Sequence, residues 1–559
     1  MAFPSPAPKS QVEPQEIPLQ IVGGNRFGRY NKVSDEQTWN MIVSDLALVD
    51  YAGYANLFAN PLVLNAKGRG IYKSTNADLM YVVIGSAFFS INIVGGVADY
   101  TLLGTLATSS GDVFISENNN NEIVITDERF VYVYKFATTL NPGTSFKQSN
   151  PTNMSPPAGQ FYAPITTPGY VSFQLGRIII ADLGTTNWYL SGINAATQWL
   201  VADSMTNNNA YIGAIGLKPD TIQAAVPVPG AGNNIALFGN TVMELWQYTG
   251  NAIFPYQRQS TFNIDYGTLN ASSIAALDSY IVWISANEQG GATIMKFNGG
   301  REESISTDGI DFKLANLTNP SNCTGFLFRQ DGHLIYQFTF PDDNISLIYD
   351  FNTKLFCYVS DENQNYHPAR NVVFFQNDYY FVSLNDGNVY TFGTQFSNLQ
   401  YSATNIQMMY RNRIPPPIRL PSQRMFIAKS LCFTVENGQP NTKIGEIQQD
   451  VLTATYLTDQ SGNFLTDQEG DFLVTQANAN VLDGSYVNDL YSEAIDLSIS
   501  RDGAESWGNS VRQQMNPTGN RQSRMIFQRL GQANDMTPQI NFVGYGRFVA
   551  FDGVVEAYS

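Results

Sequence analysis

Residues 169–190 read GYVSFQLGRIIIADLGTTNWYL, residues 234–250 read NIALFGNTVMELWQYTG and residues 280–297 read YIVWISANEQGGATIMKF. In each segment an apolar strand reaches a turn rich in Gly, Asn or Asp, and a second apolar strand returns. Paired strands joined by such tight turns are typical of antiparallel hairpins. Because no segment of helical period interrupts residues 169–312, the chain is predicted to be all-β.

Hairpins of the same kind recur on both sides of this stretch. They centre near Gly85, Glu128, Gly176, Asn240, Glu288, Phe340 and Asp378. Their spacing of roughly 40–65 residues is close to the four-stranded blade period of a β-propeller. Seven hairpins predict one propeller of six or seven blades over residues 66–400, with a β-sandwich array or stacked β-domains as the alternative. Trp246 and Trp283 lie within apolar runs and are predicted to be largely buried.

The flanking residues are assigned to other units. Residues 1–20 are Pro-rich and polar, which indicates an extended N-terminal arm, with a disordered tail as the alternative. Residues 21–65 are interpreted as initial strands that can pack with the C-terminal domain. Three prolines in residues 411–419 remove three backbone donors, so this segment cannot continue a central strand and marks a domain boundary. Residues 401–436 are then a linker and first strand, and residues 491–559 complete a second, platform-like β domain.

Residues 437–490 interrupt that second domain as an acidic insertion. They contain an eight-residue near-repeat, LTDQSGNF at 457–464 and LTDQEGDF at 465–472, which makes a small stack of strands plausible. The simpler interpretation is a solvated loop. We expect the insertion to project from the second domain, to be dispensable for folding, and to contact a neighbour or a fibre through Asp459, Phe464, Asp467 and Phe472.

Composition limits the function further. The net charge of -17 argues against a nucleic-acid-binding surface, which needs a basic footprint, but not against DNA passing nearby. The odd number and wide spacing of Cys323, Cys357 and Cys432 make a disulfide framework improbable and fit a reducing cytoplasm. The N-terminus has no secretory signal pattern, and no run of about 18 apolar residues could span a membrane.

Catalytic, cofactor and metal signatures are not evident. His333 and His367 alone cannot make a His-rich zinc site, and no Gly-x-Ser-x-Gly elbow or Walker loop occurs. The acids Asp342 and Asp343 are sequence neighbours in a turn, whereas a glycosidase needs two carboxyls facing each other. Residues 500–507 resemble a single Asp-box hairpin, which is a structural turn. We therefore expect a protein without enzymatic activity and without a cofactor.

A resemblance to a known family completes the interpretation. Its segments are LFGNTVMELW at 237–246, FPYQR at 254–258, YGT at 266–268 and AALD at 275–278. In this order they resemble the tail hub of short-tailed bacteriophages, also called the nozzle or packaged-DNA stabilisation protein. The resemblance extends from about Gly68 to the C-terminus with one insertion.

The resemblance implies a structural virion protein. It implies a hexameric ring below the portal and its adaptor, with genomic DNA in a central channel and no sequence-specific binding. It also implies fibres or spikes outside, a needle or plug that closes the channel, and location in the phage tail after assembly in the host cytoplasm. A carbohydrate-active or glycan-binding propeller, sialidase-like or an adhesin, is the alternative.

Arginines are concentrated in the second domain of this acidic chain. Because Arg forms bidentate pairs with carboxylates, they are candidate contacts with neighbouring subunits or an acidic adaptor. Exposed arginines on a solvated face are the alternative. The candidates are Arg411, Arg413, Arg419, Arg424, Arg512, Arg521, Arg524 and Arg529.

Overall fold

The computed structural model describes most of the chain. The described residues are 14–28, 36–137, 144–200, 210–230, 232–251, 253–286, 291–420, 424–437, 493–515 and 522–558. Nearly all their regular structure is β, which confirms the predicted all-β class. Within these ranges, no helix is long and apolar enough to cross a membrane.

Five short strands precede the propeller, and the propeller strands then follow in order. The first five are β1 (Gln15–Leu19), β2 (Gln37–Trp39), β3 (Met41–Ser44), β4 (Ala47–Asp50) and β5 (Gly53–Asn56). Blade 1 is β6 (Gly68–Lys73), β7 (Met80–Ile84), β8 (Ala87–Val94) and β9 (Val97–Thr105). Blade 2 is β10 (Phe114–Glu117), β11 (Glu122–Thr126), β12 (Val131–Lys135), β13 (Ser145–Asn150) and β14 (Gln160–Tyr162). Blade 3 is β15 (Pro168–Gln174), β16 (Arg177–Asp182), β17 (Asn187–Leu190) and β18 (Tyr211–Ala214).

The remaining blades continue the pattern. Blade 4 is β19 (Ile222–Pro227), β20 (Asn234–Gly239), β21 (Met243–Tyr248) and β22 (Tyr256–Ile264). Blade 5 is β23 (Ala275–Leu277), β24 (Tyr280–Ala286), β25 (Ala292–Phe297) and β26 (Glu302–Ser304). Blade 6 is β27 (Thr324–Gln330), β28 (His333–Phe340), β29 (Ile345–Asp350) and β30 (Leu355–Tyr358). Blade 7 begins with β31 (Ala369–Phe375), β32 (Asp378–Ser383) and β33 (Val389–Gly393).

Blade 7 is composite, whereas the other six blades are continuous in sequence. Its fourth strand is β5, which pairs antiparallel with β33 through Phe392 opposite Tyr54 and Gly393 opposite Gly53. Two short strands, β34 (Asn398–Gln400) and β35 (Ile406–Met408), extend the same sheet. The predicted propeller is therefore present, and an N-terminal strand completes its last blade.

Alternating side chains explain how the blades pack into a ring. In β16, Ile178 and Ile180 enter the core shared with blade 2, while Ile179 and Ala181 enter the core shared with blade 4. A strand buried on both faces needs a continuous apolar run, which is what this segment has. Seven such cores separate successive blades, and the last joins blade 7 to blade 1.

Two details differ from expectation. Trp283 is fully buried as predicted, whereas Trp246 keeps partial exposure while its ring packs edge to face against Trp188. The expectation that no helix interrupts residues 169–312 is wrong, because helix α1 (Asp308–Ala315) follows blade 5. The Thr307 hydroxyl accepts a hydrogen bond from the Ile310 amide, a recognisable N-cap signal.

The second domain is a β-sandwich built from both ends of the chain. Its remaining strands are β36 (Arg411–Ile414), β37 (Phe426–Asn437), β38 (Ala494–Ser500), β39 (Val511–Gln514), β40 (Gln522–Ala533), β41 (Thr537–Val543), β42 (Phe548–Ala550) and β43 (Gly553–Tyr558). One sheet has seven strands: β1, β43, β37, β42, β4 and β3 in order, with β40 also paired to β37. The other continues from blade 6 through β2, β36, β41, β38 and β39, which gives nine strands. The two sheets enclose a common apolar core.

The expectation that residues 411–419 cannot continue a central strand is wrong for the first four. Residues Arg411–Ile414 form β36, which lies between β2 and β41 in the nine-stranded sheet and is buried. The prolines follow this strand, so they remove no donor from it. The chain thus passes from the propeller into the second domain through a central strand.

Candidate functional site

The axis of the propeller contains a small cavity of about 220 Å³. First strands of several blades line it, with Ile71, Phe114, Tyr170, Phe326 and Val372 among the lining side chains. Among the described residues that line this cavity, none is charged. A glycosidase needs two carboxyl groups across the scissile bond, and this lining offers no such pair.

A buried ion pair lies instead at the joint between the propeller and the second domain. Asp50 ends β4, and Arg411 begins β36. The Arg411 Nε and Nη2 atoms donate hydrogen bonds to the two Asp50 carboxylate oxygens, each at 2.9 Å. Both side chains are buried. Burial raises the pKa of the Asp50 carboxyl. The positive charge of Arg411 and the hydrogen bonds from Arg411 and from the Phe548 amide act in the opposite direction.

The other partners of this pair come from both domains. Arg411 Nη1 donates to the Gly544 carbonyl at 3.0 Å, and Nη2 donates to the Ser397 carbonyl at 2.5 Å. Gln330 of blade 6 donates to the Asp50 carbonyl at 3.0 Å. The pair therefore connects the sheet of the second domain with blades 6 and 7.

A second buried arginine holds the N-terminal segment. Arg413 Nε donates to the Ile21 carbonyl at 2.8 Å, and Nη1 donates to the Gly24 carbonyl at 3.0 Å. Its guanidinium also lies 3.3 Å from a Glu36 carboxylate oxygen. Sequence reasoning missed Asp50 and Glu36 as partners. The signal at Asp50 was a single acid inside the apolar run ALVDYAG, since a buried charge requires a partner.

These contacts correct the predicted docking set. Arg411 and Arg413 are fully buried and bonded within the chain, so neither side chain reaches the surface to contact another subunit. Arg419 is exposed and pairs with Asp535, and Arg512 is exposed and makes a bidentate pair with Asp496 at 2.7 Å.

The remaining predicted contacts fall into two groups. Arg424, Arg524 and Arg529 are exposed and make no ion pair with any side chain that the structure describes. The structure does not bring the seven described arginines together as one patch, since two of them are buried. The other candidates lie outside the described residues, and they are Arg521, Asp459, Phe464, Asp467 and Phe472.

Both histidines make hydrogen bonds within the fold. His333 Nδ1 lies 2.9 Å from Asp350, and Nε2 lies 3.1 Å from the Ser44 hydroxyl, which ties blade 6 to the second domain. His367 is buried, and its Nδ1 accepts a hydrogen bond from the Ala369 amide at 3.2 Å. Burial lowers the pKa of His367 to about 3.

The His367 environment predicts a pH-dependent stability. The unfolded pKa is near 6.5, so protons bind the unfolded state preferentially and stability is lost as the pH falls from 6.5 towards 3. Between pH 7 and pH 5 the native protein should lose roughly 2 kcal/mol more unfolding free energy than His367→Asn. Asn keeps an acceptor for the Ala369 amide but does not titrate. Denaturant unfolding at both pH values measures this, and equal losses would contradict the assignment.

The acids that could be mistaken for catalysts act in turns. Asp343 accepts from the Thr318 amide at 2.7 Å, and Asp342 accepts from the Asn319 side chain at 2.8 Å. In the Asp-box-like segment, hydrogen bonds from Ser500 and Ser506 lower the pKa of Asp502. Across the described ranges, no group of three or more His, Cys, Asp or Glu side chains could hold a metal ion.

Comparisons with solved structures find other propellers at low similarity. A streptogramin B lyase is 11% identical with a TM-score of 0.36, covering 61% of this chain and 97% of its own. A virginiamycin B lyase from Staphylococcus aureus is 11% identical with a TM-score of 0.38, covering 61% and 98%. A putative 6-phosphogluconolactonase from Bacteroides fragilis is 13% identical with a TM-score of 0.35, covering 56% and 86%. These likenesses carry no inference about activity.

The comparison with protein families shows to which family the chain belongs. No curated protein matches the chain. The family described as "Bacteriophage P22 Gp10, beta-propeller" matches residues 40–397, which are the propeller and the strands that lead into it. The C-terminal similarity expected from the sequence lies beyond that range. The chain therefore belongs to the bacteriophage P22 Gp10 β-propeller family, the structural tail hub or DNA-stabilisation proteins of short-tailed phages.

Proposed function

We propose that six copies of this chain form the hub or nozzle of a phage tail. The ring would lie below the portal and its adaptor, surround the channel through which genomic DNA passes, and help to retain the packaged genome. Fibres or spikes would attach outside, and a needle or plug would close the channel. The observation that carries this proposal is the family match over residues 40–397.

The charge distribution supports a channel that does not bind DNA. Residues 40–397 contain 28 Asp and Glu against 15 Lys and Arg, so they hold -13 of the net -17. A basic lumen would neutralise phosphates and retard ejection, whereas an acidic wall repels DNA and leaves it free to move. Retention would then depend on the plug.

The second domain is the better candidate for subunit and adaptor contacts. Outside the acidic insertion, residues 398–437 and 493–559 contain 11 Lys and Arg against 8 Asp and Glu, a net of +3. Closing a ring from an asymmetric subunit requires a head-to-tail contact between two different surfaces. Opposite charge on the second domain and the propeller supports such a contact.

The non-enzymatic assignment is part of this proposal. The alternative, a carbohydrate-active or glycan-binding propeller, would need convergent carboxylates or aromatic side chains in the axial cavity. The described lining is uncharged, and the carboxyl groups of Asp342, Asp343 and Asp502 accept hydrogen bonds within turns. Two of the three cysteines, all free, are buried, which is compatible with assembly in the host cytoplasm.

Imaging of the assembled phage tail tests the proposal. We expect six copies in one ring and a lumen lined mainly by Asp and Glu. An isolated monomer in solution would not contradict this, because the adaptor can template the ring. A ring of a different copy number, or a lumen lined mainly by Lys and Arg, would refute it.

A further inference from the structure

A cleft of about 370 Å³ lies beside the axial cavity of the propeller. It is formed by the first strands of blades 1, 2 and 3, and it shares Ile115, Tyr170 and Val171 with the axial cavity. The turns that follow β6 and β10 contribute to its rim, so the cleft opens on one face of the propeller. Sites for small ligands have volumes of roughly 300–1,000 Å³, so this cleft is large enough to hold one.

Hydrogen-bonding groups without a partner line this cleft. Ser116 is only 6% exposed, yet its hydroxyl makes no hydrogen bond to any group that the structure describes. Among the described residues, the Tyr170 hydroxyl and the exposed side-chain amide of Asn119 also have no hydrogen-bond partner. Buried polar groups are normally paired, so the lining indicates a ligand that both donates and accepts hydrogen bonds.

Aromatic rings provide the apolar part of the lining. Tyr72 of β6 and Phe173 of β15 are half-buried and come from the strands on either side of β10. Between them, the Tyr170 ring packs against Phe114 with a centroid distance of 5.0 Å. Aromatic side chains offer a large, rigid apolar face, and Tyr adds a polar edge. A matching ligand therefore combines an apolar face with hydroxyl or amide groups.

The cleft has one charged side chain among its described lining residues, Glu117. Its carboxylate accepts hydrogen bonds from the Ser74 hydroxyl at 2.9 Å and the Thr75 amide at 2.6 Å. In the described ranges no cation pairs with it, so its negative charge disfavours an anionic ligand. Glu117 is only 4% exposed, so little of it can contact a cationic ligand.

We propose that this cleft binds a neutral saccharide. The rings of Tyr72, Tyr170 and Phe173 pack on the apolar face of a sugar ring, and Ser116 and Asn119 form hydrogen bonds with its hydroxyls. A glycosidase needs two carboxyl groups, whereas the described lining has one, so the site binds without hydrolysis. This binding site goes beyond the hub function and does not depend on the ring.

Ligand-observed NMR with the isolated full chain tests the proposal. The probes are the neutral maltotetraose, cellotetraose and chitotetraose, and the anionic tetragalacturonate. We expect at least one neutral probe to bind with a Kd below about 10 mM, and tetragalacturonate to bind more weakly than that probe. Asn119→Ala and Tyr170→Phe should each raise the Kd about three- to tenfold, because each removes one hydrogen-bonding group.

Asn92→Ala is the matched control, because it removes an exposed amide from β8 outside the cleft and should leave the Kd unchanged. Asn119 is exposed in a turn, so its variant remains informative if Tyr170→Phe fails to fold.

Four results would overturn the proposal. They are no binding of any neutral probe at about 10 mM, the same Kd in the native chain and the cleft variants, and equal affinity for tetragalacturonate. The fourth is a change in copy number in Asn119→Ala without a change in Kd, because a second copy would then occupy the cleft.

Discussion

Replacing Arg411 with Ala is expected to lower the free energy of unfolding by about 3–5 kcal/mol, because it leaves a buried carboxylate without its cation. The guanidinium makes a bidentate pair with Asp50 and donates to the carbonyls of Ser397, Gly544 and Gly546. Removing the guanidinium therefore leaves several buried acceptors without their donor. Denaturant unfolding monitored by tryptophan fluorescence gives the loss.

Arg512→Ala provides the matched control. It removes a bidentate Arg–Asp pair of similar geometry, but the Arg512 side chain is 58% exposed. Exposed pairs contribute about 0–1 kcal/mol, so this variant should be nearly as stable as the native chain. The double variant Asp50→Asn, Arg411→Met should recover part of the loss, because it removes both charges. Equal losses in Arg411→Ala and Arg512→Ala would contradict the assigned role of the joint.

The second large effect is expected at the strand that closes the propeller. Tyr54→Ala should cost about 3–5 kcal/mol, because it removes a fully buried aromatic ring from the closing strand. The ring makes edge-to-face contacts with Tyr390 and Phe381, at centroid distances of 5.2 and 5.4 Å. Hydrogen exchange of the β33 amides should increase with the loss of stability, since β5 is their pairing partner.

Tyr54→Phe separates packing from hydrogen bonding. It keeps the ring and removes only the hydroxyl contact with Tyr401 at 2.8 Å, so it should cost about 1 kcal/mol. A similar cost for Phe and Ala at this position would show that the ring does not support closure.

The two sites are connected through one short N-terminal segment. Between Gln37 and Asn56 the chain contributes β2 to the nine-stranded sheet, β3 and β4 to the seven-stranded sheet, and β5 to blade 7. Damage at Asp50 or at Tyr54 therefore affects the same twenty residues. We expect the propeller and the second domain to lose stability together in both variants.

Local residues determined the hairpins, and for that reason the sequence predicted them. Leu175 and Gly176 adopt positive φ angles of 50° and 81° at the turn of blade 3, and the β31–β32 turn uses Asn377 at 70°. The choice of turn residues and the alternation of side-chain direction along a strand both act over only a few residues. Each predicted hairpin centre therefore lies in a different blade. Glu288 lies outside the described residues, between β24 and β25. The helix at Asp308–Ala315 was not predicted, because it has only two turns and one N-cap residue, Thr307, amid a strong strand pattern.

Only the tertiary structure decided what the arginines do and how the ring closes. Asp50 and Arg411 are 361 residues apart, and β5 and β33 are separated by the whole propeller. Nothing near Arg411 in sequence distinguishes a buried arginine from an exposed one such as Arg424, because burial depends on which distant carboxylates and carbonyls surround it. Hairpin geometry is fixed by neighbours along the chain, whereas charge pairing and closure are fixed by neighbours in space.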